Sequence, residues 1–479
     1  MGFREGKKAR RAYYNTSVHR TFAAQLGTPL KFLPMKLALR ALFLLLLSCG
    51  LPSLNAQHGD HDGHDHGAND DHEPPHSTEI HEGCAHDGHD YDPAGVILHH
   101  IADANEFHFF GDLHLPLPVF LYAPGHGLTT GLSSMFHHGD TAHDGYVLNH
   151  GRVNRLADGA PAALFEGEHD VECILHKIEP VAGKDVDTYY AKIGGQEYLL
   201  NAPSVGDGGL LNGGITNFYD FSITKNVFTM LLAALLLILL WTAVARGYKR
   251  NEGQAPSGVQ SLMEPFFVFI RDEISIPMIG EKHYERFQPF IMTLFFFILF
   301  CNLFGLIPIL PGSANVTGNI AVTMTLAVIT AIVAYLHGNA HFWGHVLWMP
   351  GVPVFVKPLL TVVEVLGLVI KPFSLMVRLF ANITAGHIII LSLISLIFIF
   401  GNNGESVAGA SAGSVVAFAF TMFMNCIELL VAFVQPFIFA ILAASYIGAA
   451  VEEHEHEHGH EDSHAVEHEN LNDGSPAYA

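Results

Sequence analysis

The chain has few charged residues for its length. Of its 479 residues, 15% are Asp, Glu, Lys or Arg and 50% are hydrophobic, whereas soluble domains average about 25% charged residues. This deficit excludes an ordinary soluble protein. Basic residues are fewer than acidic ones: the chain has 24 Lys and Arg and 46 Asp and Glu, which gives a net charge of −22. So few and scattered basic residues do not predict nucleic-acid binding.

Two common chemical motifs are also missing. None of the five cysteines forms a CxxC pair, so no thiolate metal site is predicted. The sequence has no GxxxxGK[ST] loop, so neither a nucleotide site nor a cofactor is expected on this chain. Cys301 and Cys426 fall inside apolar segments, where a buried, inert thiol is expected. Cys84 and Cys173 could pair if their segment is exported, and the sequence leaves that open.

Residues 1–56 predict an upstream extension and an export signal. The stretch MKLALRALFLLLLSCGLPSLNAQ, beginning at Met35, combines two basic residues, a short apolar run and small residues. This is the pattern of a secretory signal peptide, and its apolar run is too short for a stable span. We expect the chain to start at Met35 and cleavage to follow Ala56, with a lipoprotein-like modification at Cys49 as the alternative. The residues that follow are then outside the cytoplasm.

Two segments are rich in histidine and acidic residues. Residues 57–92 hold nine histidines, and residues 452–464 form a second such run within the acidic tail 451–479. Both have too few apolar residues to form a core, so disorder is predicted. Two interpretations stay open: transient binding of Zn²⁺ or Cu²⁺ by the imidazoles, or a solvated segment that responds weakly to pH.

Residues 93–220 differ in composition from the segments on either side. They are rich in glycine and contain short alternating runs at residues 106–113 and 189–200. Such runs between turn residues are typical of short strands. We therefore predict a small exported domain, mixed or β-rich, whose function the sequence does not indicate.

Residues 221–450 predict a membrane domain made of helices. Five long apolar segments stand out, namely residues 227–245, 289–310, 320–336, 358–400 and 415–450. The last two are longer than a membrane crossing needs, so they must tilt, kink or run along the membrane, with Pro372 and Pro436 as natural kink points. Residues 259–274 are amphipathic and predict an interfacial helix. The predicted fold class is thus an all-α membrane protein with five spans, an interfacial helix and a small exported domain.

Basic residues after the first span predict the orientation of the chain. Six of them cluster there: Arg246, Lys249, Arg250, Arg271, Lys282 and Arg286. Loops rich in Lys and Arg stay in the cytoplasm, so the N-terminal region is predicted outside. Five spans then place residues 451–479 inside. The pattern predicts a multi-pass membrane protein, with lipid as its surroundings.

The fourth apolar segment carries charges where apolar residues are expected. Glu364, Lys371 and Arg378 recur at seven-residue steps, which keeps them near one helical face. Asn382 follows one turn after Arg378, and His387 lies further along. A cation at mid-bilayer costs about 2.5–3.5 kcal/mol and is normally kept where it lines an aqueous path or faces an opposite charge. This helix therefore predicts a group that interacts with an ion.

The fifth segment supplies matching polar residues. Glu428 and Gln435 are seven residues apart and share a face. Because His and Glu can exchange protons while Arg never loses its own, the two helices predict proton or ion passage with Arg378 as an electrostatic gate. Structural alternatives stay open: Arg378 as an ion-pair partner of Glu428, His387 as a hydrogen-bonded packing residue, and Gln435 as a partner for backbone freed by Pro436.

The segment KPFSLMVRLFANITAGHI resembles the signature around the essential arginine of the a subunit of F-type ATP synthases. The resemblance continues through NLFGLIP, TGNIAVTMTLA and IELLVAFVQPFIFAILAASYI and covers about residues 220–450. It implies a non-catalytic subunit whose two half-channels pass protons to and from carboxylates of a rotating c-ring. The implied partners are the c-ring, b-type peripheral stalk subunits and, indirectly, the catalytic F1 head.

The resemblance also implies roles for individual residues. It assigns proton translocation to four residues at matching positions: Arg378, Glu364, Asn382 and Gln435. His387 and Glu428 occupy two positions that are acidic and histidine, respectively, in many bacterial members. The pair is thus retained with its members exchanged, which suggests that the two side chains face each other.

A competing prediction is a divalent metal-ion transporter, which the His-rich segments favour. Against it, the predicted spans lack the paired His and Asp cluster of HxxxD type that would hold Zn²⁺ at mid-membrane. A third class, a membrane scaffold, leaves the Arg, His, Glu and Gln group without a purpose.

Overall fold

The structure is a computed structural model that describes most of the chain after residue 100. The described residues are 97, 101–108, 114–149, 151–181, 184–201, 218–251, 256–307, 314–401 and 406–452. The predicted signal peptide, the segment 57–92 and nearly all of the acidic tail lie outside them. Cys173 is disulfide-bonded, but Cys84 lies outside the described residues, so their pairing stays a prediction.

The first part of the described chain is β-rich. Its strands are β1 (Glu106–His108), β2 (His114–Pro116), β3 (Pro118–Ala123), β4 (Gly127–Leu132), β5 (Thr141–His143), β6 (Tyr146–Asn149), β7 (Arg152–Leu156), β8 (Glu168–Asp170), β9 (Cys173–Val181), β10 (Lys184–Ile193), β11 (Gln196–Asn201) and β12 (Tyr219–Asp220). They pair antiparallel in a seven-stranded sheet of order β8-β5-β6-β7-β11-β10-β9, a three-stranded sheet β12-β3-β4 and the pair β1-β2. The prediction of a β-rich region is confirmed.

The predicted strand run at residues 189–200 is a hairpin. Ile193 pairs with Gln196, so β10 and β11 are joined by Gly194 and Gly195 alone. Both glycines have positive φ, at 59° and 76°. A two-residue hairpin loop of this hand matches the twist of the strands, and it requires residues that tolerate positive φ. Of the other predicted run, residues 106–113, the structure describes a strand only at Glu106–His108.

The β-rich region contacts the start of the first long helix. The backbone N–H of Lys225 donates to Ala104 O at 2.8 Å, and that of Asn226 donates to Asp103 Oδ1 at 3.1 Å. The Phe107 ring meets the Phe228 ring edge-on, with centroids 5.6 Å apart. These contacts join β1 directly to the helix that follows the sheets.

The second part of the described chain is helical. Its helices are α1 (Lys225–Arg250), α2 (Val259–Phe269), α3 (Ile276–Ile279), α4 (Tyr284–Leu306), α5 (Ile320–Leu336), α6 (Ala340–Leu347), α7 (Lys357–Phe400) and α8 (Val407–Val451). Polar side chains cap several of them: Thr224 Oγ1, Asn319 Oδ1 and Ser406 Oγ accept backbone N–H groups of the first turns of α1, α5 and α8. Four of the five apolar segments predicted from the sequence fall within one helix each, and the described part of the segment 289–310 overlaps α4, which ends at Leu306.

In the part of the chain that the structure describes, four helices are long and apolar enough to cross a membrane: α1, α4, α7 and α8. The third predicted span, residues 320–336, has the same bounds as α5, but this helix is bent by 106° against α6 at a short break. The number of spans is five only if α5 and α6 together form one. Asn339 marks this break, since its backbone N–H and its side-chain Nδ2 donate to Ala450 O and Val451 O, each at 2.9 Å.

The two longest helices run through their prolines. Pro372 lies inside α7 and Pro436 inside α8, and neither ends its helix. At about 1.5 Å per residue, the 44 residues of α7 extend about 66 Å, twice the thickness of a bilayer core. A helix of this length crosses a membrane only with a strong tilt or by running partly along it.

The predicted interfacial segment is α2 followed by a π-helical turn at Ile270–Ser275. One side packs on the helical core through Met263, Phe267, Ile270 and Ile274, while Leu262 stays exposed. The periodic burial shows that one face of this helix packs on the core, while the exposed face carries apolar as well as polar residues. Its position in a membrane interface stays a prediction.

The cysteine prediction was right for one helix and wrong for the other. Cys301 is buried in α4, whereas Cys426 is exposed on α8. The reason is that residues 425–427 turn away from the neighbouring helices of this chain. An apolar helix identifies a membrane segment but does not identify the face that packs against the rest of the chain.

Candidate functional site

Four of the polar residues predicted on the two longest helices meet in two pairs along the α7–α8 contact, His387 with Glu428 and Asn382 with Gln435. Tyr446 Oη donates to Lys371 O at 3.5 Å, and Asn382 Nδ2 donates to Gln435 Oε1 at 2.8 Å. The residue number rises from 371 to 382 along α7 while that of the partner falls from 446 to 435 along α8, so the two helices are antiparallel. This register sets which side chains of α7 lie level with those of α8.

His387 and Glu428 form the most buried of these contacts. His387 Nδ1 lies 3.6 Å from Glu428 Oε1, and the Glu428 side chain is only 4% exposed. The distance is slightly longer than a hydrogen bond, and Oε1 has no hydrogen-bond partner among the described residues. His387 and Glu428 are thus close to each other, as the exchange of their positions relative to the family suggested. A small side-chain rotation would close the remaining gap.

Asn382 and Gln435 are joined by an interhelical hydrogen bond. Asn382 is exposed on α7, while Gln435 is 2% exposed on α8. Because the side-chain oxygen of Gln435 accepts from Asn382, its observed partner is this amide rather than backbone freed by Pro436. The contact lies one helical turn, or about 6 Å, from Arg378 along α7.

Arg378 lies near the middle of α7 and is half-buried. Within the described part of the chain, its guanidinium makes no hydrogen bond or ion pair. The register places it level with Phe439 of α8, which is buried. The alternative of an Arg378–Glu428 ion pair does not form, because Glu428 contacts His387 instead.

Glu364 and Lys371 lie apart from these pairs. Glu364 is fourteen residues before Arg378, which is about 21 Å along the helix. Neither the Glu364 carboxylate nor the Lys371 ammonium makes an ion pair within the residues that the structure describes. The three charges share a helical face, as their spacing predicts, but do not form one compact group.

Sequence reasoning missed a second polar contact at α8. Asn302 of α4 is buried, and its Nδ2 donates to Ala432 O at 3.4 Å, while Thr317 Oγ1 donates to Asn302 Oδ1 at 2.7 Å. This group ties α4 and the start of α5 to α8 between Glu428 and Gln435. Asn302 begins the run NLFGLIP and Thr317 begins the run TGNIAVTMTLA, which both belong to the family resemblance. Both residues were therefore part of the resemblance predicted from the sequence, but neither of them was assigned a role.

Family models match segments of both parts of the chain. The family described as ATP synthase A chain matches residues 227–448. A domain of unknown function, DUF8433, matches residues 96–172. The helical site described above therefore lies wholly within the first match, and most of the β-rich region lies within the second.

Several bacterial proteins named ATP synthase subunit a are similar to this chain. That of Chloroherpeton thalassium is 40% identical over 290 residues, which are 57% of this chain and 78% of the relative. The Myxococcus xanthus protein is 41% identical over 253 residues, or 52% and 78%. The Pelodictyon phaeoclathratiforme protein is 35% identical over 318 residues, or 62% and 83%. The chain is an integral membrane protein that belongs to the ATP synthase subunit a family, the proton-translocating subunit of the Fo sector.

Proposed function

We propose that this chain carries protons between two aqueous half-channels and the carboxylates of a c-ring, and so couples proton flow to rotation and ATP synthesis. The proposal rests on one observation: Arg378, in the middle of α7, is a half-buried cation that forms no ion pair with the described residues. Such a charge is retained within a membrane where it meets an opposite charge or an aqueous path. In this proposal a carboxylate of the ring supplies the opposite charge.

Among the described residues no carboxylate forms an ion pair with Arg378, which supports a partner on another chain. Glu364 is the one acidic residue of α7, and Glu428 is the one acidic residue of α8. The first lies far along the helix and the second contacts His387. Exposed apolar side chains on α7, among them Leu366, Val369 and Phe373, would face lipid or the apolar surface of such a ring.

His387 and Glu428 are proposed as the relay on the outer half-channel. A proton from outside would pass between the imidazole and the carboxylate, and then to the ring. Both groups exchange protons readily, and their 3.6 Å separation leaves a transfer path that needs little motion. Asn382 and Gln435 would position polar groups beside Arg378, and Glu364 would line the other half-channel.

Arg378 would keep the two half-channels separate. A protonated ring carboxylic acid is neutral and can rotate into lipid, whereas the ionised form is attracted to the guanidinium. This attraction favours proton release into the cytoplasmic half-channel. Because Arg does not lose its proton under these conditions, it cannot itself carry protons between the two paths.

The remaining expectations are part of the same proposal. The N-terminal region would lie outside a bacterial inner membrane after signal cleavage, and the C-terminal tail would be cytoplasmic. Stable partners would be the c-ring and b-type peripheral stalk subunits, with the catalytic head reached indirectly. The six basic residues that run from the end of α1 at Arg246 to the start of α4 at Arg286 support this orientation.

ATP-driven proton pumping in inverted vesicles tests the proposal. Arg378→Ala should reduce acid-induced dye quenching to below about one tenth of wild type, because the intramembrane charge is lost. Lys371→Ala is the matched control, since it removes an equal charge from an exposed position of the same helix and should pump at near wild-type rate. Co-purification of the c-ring checks assembly. Normal pumping by an assembled Arg378→Ala complex would overturn the proposal.

A further inference from the structure

A cluster of two histidines and a glutamate lies outside the helical site. Glu106 belongs to β1, His114 to β2, and His138 to the 3₁₀ segment Ser133–Gly139. Three separate segments of the β-rich region thus bring these side chains together. Among the described residues this is the one group of three or more His, Cys, Asp or Glu with the spacing of metal ligands.

The distances within the cluster are those of atoms that could share one ion. His138 Nδ1 lies 3.1 Å from Glu106 Oε2, and His114 Nδ1 lies 3.6 Å from Glu106 Oε1. The two imidazole rings overlap, with centroids 3.8 Å apart. One candidate ligand atom from each residue lies within 4.8 Å of the others.

These separations match the geometry of tetrahedral zinc. Zn²⁺ binds imidazole nitrogen and carboxylate oxygen at about 2.0–2.2 Å, so two ligand atoms of one tetrahedral ion are about 3.4 Å apart. His138 Nδ1 lies 3.1 Å from Oε2 of Glu106 and His114 Nδ1 lies 3.6 Å from Oε1, so each histidine nitrogen is close to that value from one oxygen of the same carboxylate. Two histidines and one carboxylate are also a ligand set that zinc uses in sites with an open fourth position.

The cluster is open to solvent on one side. The His138 side chain is 49% exposed, whereas His114 and Glu106 are 15% and 12% exposed. His138 also has a φ of 62°, in the left-handed region that non-glycine residues rarely adopt. Strained backbone of this kind persists where the surroundings hold it, and it concentrates at binding sites.

We propose that Glu106, His114 and His138 bind a divalent transition-metal ion of the Zn²⁺ class, with water or another ligand in the fourth position. The ion would link β1, β2 and the 3₁₀ segment. It would do so beside Asp103 and Phe107, through which the β-rich region contacts the start of α1. The site is independent of the proton path proposed above.

A hydrogen-bonded His138–Glu106 pair without a metal is the competing explanation of the same geometry. The chain contains 32 histidines, so metal binding by the whole protein does not distinguish the two. The test must compare variants that differ only at this cluster. His137 provides the control, because it is also exposed, has a φ of 42°, and lies 3.1 Å from Thr141 Oγ1 through Nδ1, outside the cluster.

The experiment uses the full chain in detergent, with Co²⁺ as a spectroscopic probe and Zn²⁺ as competitor. Wild type and His137→Asn should each bind one equivalent of Co²⁺ tightly. The bound ion should show the intense visible absorption bands of tetrahedral Co²⁺, and Zn²⁺ should displace it. His138→Asn, which tolerates the left-handed backbone, should bind that equivalent at least about tenfold more weakly. Glu106→Gln, which keeps the size of the side chain, should do the same.

Three results would overturn the proposal: no tight equivalent in wild type, the same affinity in His138→Asn as in wild type, or an equal loss in His137→Asn and His138→Asn. Proton pumping serves as a separate readout. Because the cluster belongs to the β-rich region and contains no residue of the proposed proton path, His138→Asn should pump as wild type does. A failure of the metal site and a failure of the proton path are therefore distinguishable.

Discussion

Gly386 of α7 lies against the carboxyl group of Glu428 on α8. A Cβ atom at Gly386 would lie 3.0 Å from Glu428 Oε1, 3.2 Å from Cδ and 3.4 Å from Cγ. Such distances are shorter than ordinary van der Waals contacts, so the glycine allows the carboxylate to sit beside the adjacent His387. A side chain at this position would compete with the acid for the same space.

Gly386→Ala should therefore slow proton pumping several-fold without preventing assembly. The added methyl group would push the Glu428 carboxylate away from His387 and lengthen the proposed transfer path. Dye quenching in inverted vesicles measures the effect. Gly367→Ala is the matched control on the same helix, because a Cβ there meets nothing within 4 Å. Equal pumping by the two variants would show that the position of Glu428 does not limit transfer.

The exchanged pair can be reversed. His387→Glu combined with Glu428→His should retain more pumping than either single variant, because only the double variant keeps one imidazole and one carboxylate in contact. Single variants leave two like groups in a site where Glu428 is 4% exposed. ATP-driven quenching, with ring co-purification as the assembly control, measures all three. A double variant no better than the singles would argue against a functional contact.

The hydrogen bond between Asn382 and Gln435 should appear as energetic coupling. Asn382→Leu and Gln435→Leu should each reduce the pumping rate, and the double variant should lose less than both single effects together, because the two changes remove the same bond. The coupling energy expected for one such bond is about 1 kcal/mol.

Asn425→Leu controls for loss of an amide from α8. Asn425 is exposed, and its Nδ2 donates to Thr421 O of its own helix at 3.0 Å, so its replacement should change pumping little. Fully additive effects at residues 382 and 435 would contradict the predicted coupling.

Gly448 of α8 should be required for stability. A Cβ atom at Gly448 would collide with the backbone oxygen of Met278 in α3 and lie 3.3 Å from Ile279 Cα. Backbone atoms cannot move aside as a flexible side chain can, so Gly448→Ala should destabilise the fold by about 1–3 kcal/mol. Thermal unfolding of the purified chain in detergent measures the change.

Gly344→Ala is the control for this prediction, since a Cβ at Gly344 meets nothing within 4 Å. Its unfolding midpoint should stay close to that of wild type. An unfolding midpoint of Gly448→Ala equal to that of Gly344→Ala would contradict the close contact between α8 and α3.

Much of the helical part could be predicted because it follows from composition. Residues 320–336 were predicted as an apolar segment and form α5 with the same bounds. The bend between α5 and α6 could not be predicted, since it depends on contacts of Asn339 with the distant end of α8. Pro372 was expected as a kink point, and α7 continues through it. Neighbouring helices decide whether a proline bends or ends a helix, so its effect does not follow from sequence alone.

The polar site was predicted as residues but not as contacts. Seven-residue spacing placed Glu364, Lys371 and Arg378 on one face, yet the structure leaves these three side chains apart and pairs His387 with Glu428. The family resemblance suggested that contact, whereas periodicity alone did not. The proposed roles of these residues in proton transfer stay predictions that the pumping experiments test.

The sequence by itself determined the apolar helical segments, the β-rich region and membership of the family, because the length of apolar runs, local backbone preference and the order of motifs can all be read from residue order alone. Only the tertiary structure decided which polar atoms meet: His387 with Glu428, and Glu106 with His114 and His138. Such contacts depend on the register between elements far apart in the chain. That register is set by the packing of many side chains at once, so no single motif records it.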